Sequence, residues 1–109
     1  RDVGLAFQLG LIYWQERDLE KAQEELERAK LLDENHANAR YILGLVYDAQ
    51  GENDMAVAEF TALAAANPDN IELQQILSNL DSGLSALEGL DTGTLPLEQT
   101  PPEIEEDTQ

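Results

Sequence analysis

One offset constrains this chain more than any other feature: the same residue types recur 34 positions apart. Leu9 and Leu43, Gly10 and Gly44, Leu11 and Leu45, Tyr13 and Tyr47, Ala22 and Ala56, and Leu26 and Phe60 all obey one step. A period of this length is a supersecondary unit that cannot bury its apolar face alone and must stack on its neighbours. The fold is therefore an array before it is anything else.

Within each unit the apolar spacing is helical. From Val3 to Glu16, Leu5, Leu9, Ile12 and Tyr13 form the expected buried stripe, with Ala6 and Gly10 interleaved. Asp18 is placed to cap a second helix that buries Leu19, Ala22, Leu26 and Ala29. Glu20–Glu24 and Glu27–Lys30 surround that stripe with charge, and Lys21–Glu25 and Glu24–Arg28 stand four apart as helical ion pairs. The unit restarts with a third helix from about Ala37 to Gln50, carrying Leu43, Val46 and Tyr47 inward and closed by Gly51. Asn53 or Asp54 is expected to cap the fourth, which ends before Pro68. The periodicity predicts a fifth helix from Ile71 to about Leu87, apolar on one side and polar over a wide face, as suits a helix that caps a stack.

The organisation expected is a repeat domain over residues 1–89, with units at about 3–36 and 37–70 and a capping helix at about 71–88, then an acidic, proline-containing tail over 90–109. A length of 109 residues with 42% hydrophobic content supports one small domain. The net charge of −17, from 23 acidic and 6 basic residues, argues against nucleic acid or an anionic membrane as partner. No apolar run approaches the roughly 20 residues needed to cross a bilayer. Cysteine is absent, so no disulfide or thiolate chemistry exists and no compartment follows. The chain opens at Arg1 without methionine or a charged-then-apolar leader, and reads as a piece of a longer protein.

Together these residues resemble the tetratricopeptide (TPR) repeat family. Leu43-Gly44, Tyr47, Gly51, Ala56, Phe60 and Pro68 carry the resemblance in the second unit, and Leu9-Gly10, Tyr13, Ala22, Leu26 and Ala29 in the first. Glu34 stands where the family has proline, and Ala6 and Arg40 where it has a large residue. The resemblance covers about residues 2–88 and implies an all-α fold: helix-turn-helix units in a right-handed superhelical solenoid, here two repeats plus a C-terminal capping helix. Gly10, Tyr13, Ala22, Gly44, Tyr47, Ala56, Phe60 and Pro68 would then be repeat-packing positions, with Gly10, Gly44, Ala22 and Ala56 where paired helices touch.

The resemblance also implies a concave face lined by the first helix of each unit, which in this family commonly holds an extended peptide or a partner helix. The lining positions are Phe7, Leu11, Trp14 and Gln15, then Asn38, Tyr41, Leu45 and Asp48, with Glu72, Gln75 and Asn79 following. For Phe7, Leu11, Tyr41 and Leu45 the competing reading is ordinary packing between neighbouring first helices. Trp14 is the better partner contact, combining large apolar area with a polar N–H. The carboxylate clamp of Lys, Arg and Asn used by some members is not available, because Phe7, Leu11, Tyr41 and Leu45 hold those positions. A fainter resemblance is to the soluble C-terminal TPR portion of a larger bacterial protein, a membrane protein of the O-antigen ligase type.

No catalytic constellation appears. His36, the single histidine, reads as a solvated loop residue with no second ligand for a metal. Glu24-Glu25-Glu27 and Glu103-Glu105-Glu106-Asp107 read as exposed acidic runs, and Asp48-Gln50-Glu52-Asp54 lacks the later glycine and glutamate of a calcium loop. The expected function is non-catalytic binding of a protein or peptide in an apolar groove, without cofactor. The competing expectations are self-assembly into a homo-oligomer, or occupation of the groove by the chain's own tail from Leu95-Pro96-Leu97 to Ile104.

Overall fold

The computed structural model describes residues 2–90, so Asp91 to Gln109, including the tail expected as a groove ligand, lies outside the described residues. Five helices follow one another: α1 (Val3–Gln15), α2 (Leu19–Leu32), α3 (Ala37–Ala49), α4 (Asn53–Ala66) and α5 (Ile71–Asp81). The fold is all-α. α1 packs on α2 and α3 on α4 as antiparallel-type pairs, and the pairs stack through α2 on α3 and α4 on α5, with α1 also reaching α3.

The 34-residue step governs the helix starts. Asp2, His36 and Asn70 are the N-caps of α1, α3 and α5, and each side chain accepts from the backbone N–H three residues on, at 3.2, 3.1 and 3.0 Å. α5 is thus the first helix of a third unit, in register. The same three helices close alike. Arg17, Gly51 and Gly83 take positive φ of 65°, 81° and 82°. The following N–H then bonds back across the last turn, Asp18 to Tyr13, Glu52 to Tyr47 and Leu84 to Asn79, at 2.9, 2.8 and 2.8 Å.

Gly83 explains a departure from the sequence reading. Leu84 and Leu87 continue the leucine spacing of α5, yet the helix stops at Asp81, because the left-handed residue ends the ladder whatever the side chains beyond it. Capping differs at α4 as well: Glu52 is the N-cap and makes no side-chain bond, so neither Asn53 nor Asp54 caps it.

The paired helices approach closely where the glycines lie. A Cβ on Gly10 would stand 2.5 Å from Leu26 Cγ, and one on Gly44 would stand 2.7 Å from two ring atoms of Phe60. Ala22, Ala56, Leu26 and Phe60 are fully buried at these seams, Tyr47 is buried and Tyr13 half-buried, while Pro68 is exposed in the turn before α5. The buried side of α1 is Ala6, Phe7 and Gly10. Leu5 and Ile12, expected inside, are 58% and 46% exposed. α1 is apolar nearly all round, and only the sides toward α2 and α3 have neighbours.

Buried charge ties the units together. Glu59 accepts from Lys30 Nζ at 2.5 Å and from Arg40 Nη1 at 3.1 Å, joining α2, α3 and α4, and Arg40 Nε also donates to the Glu34 carbonyl. Tyr47 Oη donates to Glu27 at 2.5 Å, so Glu27 belongs to the inter-unit seam rather than to an exposed acidic run. On α2 the ion pair that forms is Arg28 with Glu25 at 3.3 Å, while Lys21 lies over the Tyr13 ring. Neither of the two four-spaced pairs expected from sequence is the one made.

Candidate functional site

The eight positions expected to line a groove divide into two sets. Phe7, Asn38, Tyr41 and Leu45 are buried, and only Leu11, Trp14, Gln15 and Asp48 reach solvent. The buried set is held by packing. Phe7 sits 4.8 Å from the His36 ring at a 40° tilt, and Tyr41 meets Phe60 edge-on at 5.8 Å. His36 is accordingly not a solvated loop residue. It is half-buried, its Nδ1 caps α3, and its ring covers Phe7. Tyr41 is a poor proton donor: burial, and then the Glu72 carboxylate, push its hydroxyl up to about 12. Burial and the hydrogen bond to Glu27 raise Tyr47 as well.

Leu45 has a further neighbour in the chain itself. After Gly83, residues Leu84 to Leu90 return in a series of turns over the face formed by the first helices. Ala86 N–H donates to Asp48 Oδ2 at 3.0 Å, and Asn79 Nδ2 donates to the carbonyls of Ala86 and Glu88, both at 2.9 Å. Asn79 Oδ1 accepts from Gln75 Nε2 at 3.0 Å, which satisfies the amide and fixes its orientation. Asn79 is only 3% exposed, and Ala86 is wholly buried.

Beside this segment lies a cleft of about 350 Å³ lined by Trp14, Arg17, Leu45, Asp48, Ser85 and Leu87, with Ala49 at its edge. The Arg17 guanidinium carbon lies 4.7 Å above the Trp14 ring, a cation–π contact. Arg17, Ser85, Ala86 and Leu87 were not read as site residues from sequence. Arg17 had a signal: it stands one repeat step before Gly51, a non-glycine in a left-handed position. Asn79 was among the lining positions expected from α5, and it is the polar member of the row Leu11, Leu45, Asn79 at successive repeat steps.

Among the described residues no group of three or more His, Cys, Asp or Glu is placed to hold a metal ion, and no helix is long and apolar enough to cross a membrane. Paired helices that stack unit on unit at a 34-residue step define a helical-repeat architecture. The chain belongs to the tetratricopeptide repeat family, whose model matches residues 7–80. Repeats of that family are non-catalytic modules that mediate protein–protein interaction. Comparison with curated proteins and with solved structures returned no match.

Proposed function

We infer that this chain is a non-catalytic interaction module that takes a peptide or a short helix of another protein on the face of its first helices. The observation that carries the reading is the grip of Asp48 and Asn79 on main-chain N–H and C=O groups beside an aromatic cleft. Main-chain hydrogen bonds supply affinity to any polypeptide, and a neighbouring pocket supplies selectivity. Trp14 is the anchor of that pocket, with Arg17, Leu45 and Asp48 around it, and Leu11 and Gln15 are the further solvent-reaching positions of α1. No cofactor enters.

Selection of peptides from a random displayed library on the immobilised chain, with Trp14→Ala as the counter-screen, tests the reading. Peptides that bind the native chain and lose at least about tenfold on Trp14→Ala, roughly the effect of one anchor residue, are expected. Selected peptides indifferent to Trp14, or none at all, would refute it. A second reading, self-assembly, is favoured by the exposed Leu5 and Ile12 on α1 with Leu9 half-buried between them. It requires a solution mass that rises with concentration and reverts to the monomer for Ile12→Glu; a constant monomer mass rejects it.

A further inference from the structure

In the first two units the left-handed residue is followed at once by the N-cap of a second helix, Asp18 after Arg17 and Glu52 after Gly51. In the third, Gly83 is followed by Leu84, which has no side-chain acceptor to offer a helix start. Among the described residues no second helix follows Gly83, and the chain turns back along the first-helix face.

What it places there is specific in two positions and indifferent elsewhere. The polar contacts to Asp48 and Asn79 are all made through the main chain, at Ala86 N–H, Ala86 C=O and Glu88 C=O. The side chain of Ala86 is fully enclosed, so that position admits little more than a methyl group. Leu87 forms part of the wall of the cleft, together with Trp14 and Leu45. Ser85 and Glu88 stay exposed, bonded to each other. Any chain with a small residue followed by a large aliphatic one can reproduce every one of these contacts.

We propose that Leu84–Leu90 is a built-in occupant of the peptide site, and that the site's partner is a segment of the same chemistry: small residue, then large aliphatic. The small residue gives its N–H to Asp48 and its carbonyl to Asn79, and the aliphatic side chain closes one side of the Trp14 cleft. The partner enters as the built-in segment leaves. This deepens the reading of the first-helix face as a peptide site and rests on it. Being tethered, the resident segment competes at an effective concentration on the order of millimolar, so it sets a threshold that a partner must exceed. Turns held by few contacts beside a glycine are the low-stability part of a fold, from which such exchange draws.

The test uses the full chain with Ala86→Glu, whose carboxylate cannot fit the enclosed methyl site beside Asp48. The probe is a fluorescein-labelled peptide of sequence Leu-Ser-Ala-Leu-Glu-Gly-Leu, read by anisotropy, and Trp14, the single tryptophan, reports opening through acrylamide quenching. Ala86→Glu is expected to keep its helical circular dichroism, to raise Trp14 quenching, and to bind the probe at least about tenfold more tightly than the native chain, since the tethered competitor is gone. Adding Asn79→Asp should abolish that gain, and a probe with glutamate in place of its alanine should bind neither form. Ala86→Pro, which removes the N–H given to Asp48 and constrains the turn without adding a charge, repeats the test should the first variant unfold. Equal probe binding by native and opened chains, or none by the opened chain, overturns the proposal. Trp14-dependent peptides without the small-then-aliphatic pair overturn it while leaving the broader reading intact; failure of the library selection as well removes both.

Discussion

Gly44→Ala sets two physical effects against each other with opposite sign. Helix propensity alone makes alanine better than glycine in mid-helix by about 1 kcal/mol. The structure opposes this, because the new methyl would lie 2.7 Å from Cε2 and from Cζ of Phe60. That ring is fully buried and held edge-on against Tyr41, so it has no free direction in which to retreat. Overpacking a tight core costs about 1–3 kcal/mol. The net expectation is destabilisation by about 0.5–2 kcal/mol, and for a domain of this size each kcal/mol lowers Tm by about 4–8 °C. Urea titration followed by circular dichroism measures it. The pairing itself is tested by repeating Gly44→Ala in a Phe60→Ala background, where the clashing side chain is gone and propensity should dominate, making the change neutral or favourable. Unchanged or raised stability in the native background, or strict additivity of the two substitutions, would refute the close-approach argument.

Three further outcomes follow from named contacts. His36→Ala should cost about 1 kcal/mol for the lost cap of α3 plus up to about 1 for the ring against Phe7, and His36→Asn should recover only the first part, both by urea titration. Glu59→Gln leaves Lys30 and Arg40 without their shared carboxylate and should destabilise by about 1–3 kcal/mol, a difference that shrinks in high salt because both cations are partly solvated. Tyr41 and Tyr47 have raised native pKa values, so the native state keeps protons that the unfolded chain has shed; stability is full below about pH 10 and falls as pH rises toward the Tyr41 value of about 12. Tyr41→Phe/Tyr47→Phe should flatten that fall in alkaline urea titrations, and an unchanged slope would show that these hydroxyls do not set it.

The fold was legible because its determinants are local. A left-handed residue, a side chain able to cap, and a position with no room for Cβ each leave a mark on one residue type, and the 34-step repeats the mark. Less legible was which stripe of α1 faces inward. With Leu5, Phe7, Leu9, Leu11, Ile12 and Trp14 around one helix, periodicity offers more than one apolar side, and the neighbours decide. The end of α5 misled for a related reason: Leu84 and Leu87 keep helical spacing, while the residue that matters is the glycine between Ser82 and Leu84.

The groove was the least legible part, and the reason lies in range. Phe7, Tyr41 and Leu45 were ambiguous between core and partner surface, and nothing within a few residues of them could decide. Phe7 is covered by His36 and Tyr41 by Phe60, and Leu45 shares a cleft with a segment some forty residues beyond it, joined to α3 by the bond from Ala86 to Asp48. One sequence feature nevertheless pointed there. In the row Leu11, Leu45, Asn79 the third member is an amide, with two donors and one oxygen that Asn79 satisfies in full, unlike the buried Asn38 of α3. Gln75, one turn earlier on the same helix, supplies a donor for the oxygen. Of the partners that could accept both remaining protons at once, main-chain carbonyls are the most available, and two of them two residues apart imply a polypeptide lying across the face. A polar residue set into an apolar repeat row therefore carries information about what lies on that row, and here it marks the place where peptide backbone belongs.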